Sequence, residues 1–453
     1  MDIVVCALGA VVDPWDLPAS TLLERDWIYG GERTMYELAA AAALHGHRVE
    51  LRGDISRRDY EEIVAATGAS ISTSLSPRRP TAKEVVLLPE GIDEPLLYTG
   101  VALSAARVVM VLLGPPGLFG PVLDPGFVRP DPLTVDPSLV GTPPGYRMIR
   151  DWGFELWSNS PTIAAEARAS GVDCEFFGTG QPLPYPAPGP KPYDVAFVTA
   201  NRWAPIARDV AESLTCRVLE IGEGDRNSVV RGLAGARIFL LPARIEGQSR
   251  LQLEARAVGT VPVALSSNRY APGMDEDGGA VLVESVEDMA LAVAELLRDP
   301  ERLADLSARA VSSARAQLNW TEFGTRVQRS LERPHPTPGE PFRVVAGAVI
   351  EGMVRERRKR EERLVGELSE VESKLAAAIE EGTQLRGLVE KQATAVDELA
   401  EESAQLRSQL LTVHEDKRAL DTVRQRRSVR FAVWLADRLG PVGRFVRHRG
   451  GES

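Results

Sequence analysis

From Leu364 to Leu420, apolar residues recur at alternating steps of four and three along the sequence. Thirteen of the 17 positions in this repeat are apolar and its register never shifts, which is typical of an α-helical coiled coil. At 1.5 Å per residue the repeat would form a helix roughly 85 Å long. A single helix of that length cannot bury its own apolar stripe, so the stripe needs a partner helix. We therefore predict a coiled coil over 352–423 that self-associates. Gln392 and Lys417 occupy repeat positions, where they either specify register and oligomer number or only weaken the pairing locally.

The segment 424–453 differs in charge from the rest of the chain. It contains eight arginines and two acidic residues, a net charge of +6, in a chain whose formal net charge is -11. Phe431 and Trp434 lie between the arginines, as in a short amphipathic helix. Such a helix suits an anionic membrane surface, where each basic residue contributes about 1 kcal/mol. Membrane contact is the expectation; the alternative is a solvated end that caps the coiled coil or docks on the globular part.

Ahead of the repeat, strand-like and helix-like segments alternate in two units of similar size, which is typical of parallel α/β sheets. The first unit, 1–178, opens with a strand at 3–8, a Gly30-Gly31 turn and an alanine-rich helix. A hinge with many prolines follows at 179–192, and the pattern restarts over 193–331. A Pro-rich linker, 332–351, precedes the repeat. The predicted fold class is α/β, with two Rossmann-like lobes and a cleft between them, followed by a long α-helical coiled coil.

Composition limits the class and the compartment. Hydrophobic residues make up 44% and charged residues 26%, as in ordinary globular proteins, and the acidic balance argues against a nucleic-acid partner. Cys6, Cys174 and Cys216 form no CxxC pair, so a reducing compartment fits better than a zinc site or a disulfide framework. The sequence has no signal-peptide pattern and no apolar stretch of about 20 residues. We expect a cytoplasmic protein, peripheral on the inner face of the membrane if the basic segment binds there.

The segment 235–265 carries the most specific pattern, GARIFLLPARIEGQSRLQLEARAVGTVPVAL. A buried strand is predicted to end at Pro242, a loop carries Glu246, and a helix containing Glu254 follows before the next strand. The free N–H groups and positive dipole end of a helix start suit a phosphate. Carboxylates on either side can accept hydrogen bonds from sugar hydroxyls. The spacing therefore predicts a ligand with phosphate in the middle and hydroxyl-rich ends, such as a nucleoside-diphosphate sugar.

This segment resembles the donor-site motif of retaining GT-B glycosyltransferases of the family 4 type, E-G-x-x-x-x-x-x-E ahead of A-x-x-x-G-x-P-V. The resemblance implies that Glu246 contacts the hydroxyls of the donor sugar and that Glu254 holds the nucleotide ribose. It also implies that the loop and helix start bind the donor, through Gly247, Gln248, Ser249, Arg250 and Leu251. Pro242, Gly259 and Pro262 match at the flanks, which argues against chance spacing of two exposed glutamates.

The first unit carries a weaker part of the same resemblance, to the family's GG…LA…GH-x-V opening. The matching residues are Gly30-Gly31, Leu38-Ala39 and Gly46-His47-x-Val49. Gly30 and Gly31 would let the backbone approach a phosphate or an acceptor closely. His47 is expected to end its helix rather than to catalyse. Asn319-Trp320 resembles the family's closing helix, which packs back on the first lobe, so the resemblance covers about 1–331.

The chain departs from the family after the first strand of the second lobe, where members carry a Gly-Arg…Lys loop that neutralises the diphosphate. The loop here, 199–203, reads TANRW. The resemblance therefore gives the arginine's catalytic role to Arg202, and no lysine follows. Such a loss is costly because the leaving diphosphate gains charge in the transition state. Arg250 or Arg244 could replace the lysine, unless Arg250 is an ordinary surface residue; Ser249 also stands where the family often has glycine.

The histidines bear on the mechanism, because none lies between residues 48 and 334. An inverting transferase needs a positioned general base, whereas in a retaining front-face reaction the leaving phosphate takes the acceptor proton. The scarcity of histidine therefore favours retention. The resemblance implies that no metal or other cofactor is needed, and we expect the acidic run 275–277 to be solvated rather than to hold a cation.

The predicted function is transfer of a hexose-type sugar from a nucleoside-diphosphate sugar to a glycan or lipid-linked acceptor, with retention, in cell-envelope or polysaccharide synthesis. Two alternatives stay open. A nucleotide-sugar epimerase of the same fold would need further acid–base groups in the cleft. A degenerate transferase acting as a coiled-coil scaffold would be consistent with the missing lysine and with Ser249.

Overall fold

The computed structural model describes residues 1–7, 16–24, 30–90, 105, 107–116, 136, 140–151, 154–187, 189–201, 203–222, 224–268, 270, 273–334 and 340–415. The chain divides into two units, Met1–Arg355 and Glu356–Ser453. Both α/β lobes belong to the first unit. The basic segment 424–453 lies outside the described residues.

The first lobe is built on a seven-stranded parallel sheet in the order β5-β3-β1-β6-β7-β8-β9. Its strands are β1 (Asp2–Cys6), β3 (Arg48–Arg52), β5 (Ile71–Thr73), β6 (Glu84–Pro89), β7 (Arg107–Leu112), β8 (Glu155–Ser158) and β9 (Cys174–Phe176). A separate parallel pair consists of β2 (Thr21–Leu23) and β4 (Asp54–Ser56). Its helices are α1 (Gly30–Leu44), α2 (Arg57–Thr67), α3 (Pro143–Asp151) and α4 (Pro161–Ala169). The central strands are apolar and buried along almost their whole length, as parallel sheets covered on both faces require.

The second lobe has a five-stranded parallel sheet in the order β11-β10-β12-β13-β14. Its strands are β10 (Tyr193–Val198), β11 (Val218–Ile221), β12 (Ala236–Leu241), β13 (Val261–Leu265) and β14 (Val281–Val283). Its helices are α5 (Ala204–Glu212), α6 (Arg226–Ala234), α7 (Arg250–Ala257), α8 (Val286–Arg298) and α9 (Pro300–Gln317). Side chains cap several of these starts, since Asp225 accepts from the Ser228 N–H and Ser285 from the Asp288 N–H. The predicted fold class is confirmed by these two parallel sheets and the long helix that follows them.

A last helix of this unit, α10 (Trp320–Glu332), returns to the first lobe. Its residues Phe323, Val327 and Leu331 belong to the core that contains α1. Beyond the end of α1, His47 Nε2 lies 2.8 Å from Gln328 Oε1 of α10. The helix beginning at Asn319-Trp320 thus packs on the first lobe, as the sequence resemblance implied.

The segment 57–73 contains α2 and β5, which the sequence pattern did not predict. Helix α2 buries only Asp59 and Ile63, so its apolar face is too narrow to recognise by periodicity. Its ends are nevertheless well defined locally: the Ser56 side chain accepts from the Asp59 N–H, and Gly68 ends the helix at φ 69°.

The C-terminal repeat lies on one continuous helix, α11 (Glu340–Glu415), which begins within the predicted linker. The described apolar side chains of the repeat are exposed: Leu364, Leu368, Val371, Leu375, Leu385, Val389, Val396, Leu399 and Leu406. The repeat positions Lys417 and Leu420 lie outside the described residues. None of the helices in the described part of the chain combines the length and apolar character needed to cross a bilayer.

Candidate functional site at the interlobe cleft

A cavity with about 830 Å³ of empty space, part of it open to solvent, lies where the two lobes meet. The first lobe contributes Gly30 and Arg33 of α1 and Asp59 of α2. The second lobe contributes the carboxyl ends of β10 and β11 and the first turns of α6 and α7, with lining residues Val198, Ala200, Asn201, Gly222, Gly224, Arg226, Val229, Arg250, Leu251 and Glu254. The carboxyl edge of a parallel sheet is where α/β proteins bind ligands.

The EG…E segment forms the β12–loop–α7 unit at this cavity. Ser249 is the N-cap residue of α7, although its side chain makes no capping hydrogen bond. Gly247 lies against the first lobe, because a Cβ there would stand 2.0 Å from the Leu113 carbonyl oxygen. Its lack of a side chain is therefore required by contact between the lobes. Gln248 faces the hinge, where its Oε1 accepts a hydrogen bond of 3.0 Å from Thr179 Oγ1.

Glu246 is half-buried in the loop before α7 and does not line the cavity itself. Trp203 Nε1 donates a 3.2 Å hydrogen bond to its Oε1. Burial raises the pKa of Glu246, and hydrogen bonds from Trp203 and Ser249 oppose that rise. The hydrogen bonds from Trp203 and Ser249 therefore hold the Glu246 carboxyl group in place, and it is not free in solvent.

Glu254 is buried inside α7, and its side chain is only 5% exposed. Arg226 Nε donates to its Oε1 at 2.9 Å, and Arg250 Nε lies 3.5 Å from the same oxygen. The Arg226 guanidinium also lies over the ring of Tyr185 in the hinge, 4.9 Å from the centroid. Nη2 of Arg226 has no hydrogen-bond partner among the described residues. Both cations therefore lie beside the same oxygen of the Glu254 carboxylate.

Arg250 is also buried, so the interpretation of this residue as an ordinary surface position is wrong. Its guanidinium makes a bidentate ion pair with Glu37 of α1, with both N···O distances 2.6 Å. Nη2 also donates to Gln181 Oε1 of the hinge at 2.6 Å. Gly30, at the start of α1, permits this approach because a Cβ there would lie 2.8 Å from Arg250 Cβ. Arg250 is therefore already neutralised by a carboxylate of the first lobe.

The other predicted positions divide into three groups. Gly31 lies in the first turn of α1, and Leu251 lines the cavity. Arg202 lies outside the described residues, and Arg244 is exposed. The acidic run is at the surface as expected, where Glu276 pairs with Arg302 and Asp277 lies 3.7 Å from Arg309.

Sequence reasoning missed the charged residues that other segments bring to the cleft. Arg33 of α1 is buried and pairs with Asp59 of α2 at 2.9 Å, and Arg226 begins α6. Arg58 of α2 also pairs with Asp225 across the lobes. No local pattern in the sequence pointed to Arg226, Arg33 or Arg58.

Glu90 was also missed, although it directly follows the buried strand β6. Its Oε1 accepts from the Gly114 N–H, and burial raises its pKa well above the usual carboxyl range. Gly114 belongs to the turn against which Gly247 packs. The signal for Glu90 in the sequence was an acidic residue directly after an apolar strand, which is an uncommon position for one.

The sequence and the structure were compared with known proteins. No protein-family model matches the sequence. A curated protein of Corynebacterium glutamicum, a GDP-mannose-dependent monoacylated alpha-(1-6)-phosphatidylinositol monomannoside mannosyltransferase, is 29% identical over 145 residues. The match covers 30% of this chain and 38% of that protein.

Three solved structures are similar over most of their length. Sucrose-phosphate synthase from Thermosynechococcus elongatus has 13% identity and a TM-score of 0.49, covering 73% of this chain and 98% of that one. Anabaena Alr3699/HepE in complex with UDP and glucose has 11% identity and a TM-score of 0.47, covering 70% and 100%. A glycosyltransferase from Rickettsia africae has 10% identity and a TM-score of 0.47, covering 74% and 99%.

Two parallel α/β lobes face each other across a cleft, and the last helix of this unit returns to the first lobe. This is the GT-B fold. Two Rossmann-like lobes were predicted from the alternation of strands and helices, and the two parallel sheets confirm them.

Proposed function

We propose that this GT-B protein is a glycosyltransferase that takes a nucleoside-diphosphate sugar into the interlobe cavity and transfers its sugar, with retention, to a glycan or lipid-linked acceptor. The observation that carries the proposal is the β12–loop–α7 unit, which brings Glu254 and the start of α7 to the cavity wall. The similarity to a glycolipid mannosyltransferase supports a lipid-linked acceptor and a role in cell-envelope synthesis.

In this proposal the cavity accommodates the nucleotide. Val198, Val229 and Leu251 offer an apolar wall to the base, and Glu254 accepts a hydrogen bond from the ribose. The N–H groups at the start of α7, with Arg226 and Arg202, neutralise the diphosphate as its charge grows in the transition state.

Glu246 orients the donor sugar. The acceptor hydroxyl attacks the anomeric carbon from the side on which the phosphate leaves. The bond from sugar to phosphate breaks, and a phosphate oxygen takes the acceptor proton, so no further base is needed.

The test uses Glu246→Gln and Glu254→Gln, which keep the side-chain shape and remove the charge. Each variant should lose about 100-fold or more in kcat/KM for transfer from a panel of GDP- and UDP-sugars to lipid-linked acceptors. Glu276→Gln, which breaks an exposed ion pair with Arg302, is the control and should keep its turnover. Turnover close to the wild type in both cleft variants would overturn the assignment.

A degenerate transferase that acts as a scaffold is the second candidate, because Arg250 is engaged by Glu37 and so is not free to replace the missing lysine. Calorimetry with a panel of nucleoside diphosphates distinguishes the two. Binding of at least one nucleotide supports the transferase, and no binding by the wild type supports the scaffold.

The proposal also includes self-association of α11 with the same helix of a second copy. Its exposed apolar stripe needs a partner. The basic segment 424–453 would then be presented in several copies to an anionic membrane surface.

A further inference from the structure

The side chain of Arg250 connects three parts of the protein. It begins α7 in the second lobe, pairs with Glu37 of the first lobe, and donates to Gln181 of the hinge. Glu37 is fully buried and Arg250 is 7% exposed. These residues are 213 positions apart in the chain, so only the packing of the lobes brings them together.

A buried pair of this kind holds its members in place. A buried charge without a partner is costly, and a bidentate contact fixes the plane of the guanidinium as well as its position. Glu37 therefore determines where the Arg250 guanidinium lies while the lobes are together.

The same guanidinium reaches the predicted ribose-binding carboxylate. Arg250 Nε lies 3.5 Å from Glu254 Oε1, the oxygen that also accepts from Arg226. Arg226 in turn stacks on Tyr185 of the hinge. One of the two cations that orient Glu254 is thus held by the first lobe, and the other lies against the hinge.

We propose that Glu37 is a positioning residue for donor binding: it holds Arg250, and through Arg250 it fixes Glu254, so that contact between the lobes completes the donor site. This inference rests on the proposed function, because it gives Glu37 a role in a site that binds a nucleotide. If the lobes separate, Arg250 stays beside Glu254 on α7 but loses Glu37, the residue that fixes the position of its guanidinium.

The test is a double-mutant cycle on Glu37 and Glu254, read out as the affinity for GDP and UDP by calorimetry. Glu37→Gln should weaken binding of the preferred nucleotide about tenfold, because the ribose contact of Glu254 is misdirected. Glu254→Gln should lose at least as much. The double variant should bind no more weakly than Glu254→Gln alone, since Glu37 acts through Glu254.

A matched control separates positioning from stability. Arg107 and Glu155 form another buried bidentate pair in the first lobe, with both N···O distances 2.6 Å, away from the residues that line the cavity. Glu155→Gln should lower the unfolding temperature yet leave nucleotide affinity unchanged. If Glu37→Gln does not fold, Glu37→Asp, which keeps the charge, takes its place in the cycle.

The outcomes are distinguishable. Failure of the wild type to bind any nucleotide would reject the proposed function itself. Nucleotide binding by the wild type with equal affinity in the Glu37 variant, or additive losses in the double variant, would overturn the role of Glu37 and leave the proposed function standing.

Discussion

The cleft between the lobes and the long helix α11 differ in which side chains they bury and which they expose. In the cleft, ionic groups such as Arg250 and Glu37 are buried and paired within the chain. On α11, apolar side chains are exposed; Val389 and Leu399 are each 63% exposed. Burying a charge costs free energy unless its partner is present. An exposed apolar stripe, in contrast, indicates a surface that binds another molecule. The described ionic groups of the cleft thus find their partners within the chain, whereas the described apolar side chains of the α11 repeat are exposed.

The largest expected effect comes from breaking the buried pair in the cleft. Arg250→Ala removes the bidentate partner of the buried Glu37 carboxylate and leaves only Arg33, whose Nε lies 3.4 Å from Glu37 Oε1. The free energy of unfolding should therefore fall by about 3 kcal/mol. Denaturant unfolding followed by circular dichroism measures the change. Replacing both partners by apolar residues, Glu37→Leu with Arg250→Met, should recover part of the loss. A loss no greater than that of the exposed-pair variant Glu276→Gln would show that the lobes do not depend on this contact.

The next largest effect is expected from changes in the exposed apolar stripe of α11. Leu385→Asp with Leu399→Asp places charges in the apolar stripe, so the self-associated form should dissociate while the lobes keep their unfolding temperature. Sedimentation equilibrium measures the molecular mass. Glu398→Ala lies outside the stripe and serves as the control, which should keep the wild-type mass. A monomeric wild type would contradict self-association through this helix.

A smaller effect is expected from removing the residues after Val423. The shortened protein should no longer co-sediment with anionic liposomes at low salt, because the basic segment supplies the attraction. Its affinity for nucleotide should not change. Equal recovery of both proteins with the liposomes would count against membrane contact.

The smallest effect concerns Glu90, a buried carboxyl group that accepts hydrogen bonds from backbone N–H groups. Its pKa is raised in the folded state, so the folded protein retains a proton that the unfolded chain loses as pH rises. Wild-type stability should therefore decline from the usual carboxyl pKa up to the raised folded value. Glu90→Gln should remove this decline and equal the wild type at acidic pH. Identical pH dependence of unfolding in both proteins would place Glu90 in a solvated position.

The sequence allowed more of the fold than of the site to be predicted. Strand β13, Val261–Leu265, was predicted because its apolar run after Gly259 is a local signal. Helix α2 was not predicted, since it buries little apolar surface. Within the site, Glu254 was singled out by its spacing from Glu246, but its contact with Arg226 was not foreseen.

What the sequence by itself determined is whatever a local pattern can encode: the alternation of strands and helices, the loop and helix start around Glu246 and Glu254, and the repeat of α11. Only the tertiary structure decided that Arg250 faces Glu37, that Gly247 packs on Leu113, and that Glu90 is buried. Periodicity and spacing are properties of neighbouring residues, whereas these contacts join segments far apart in the chain. These contacts depend on how the two lobes pack, and no pattern of neighbouring residues predicts that packing.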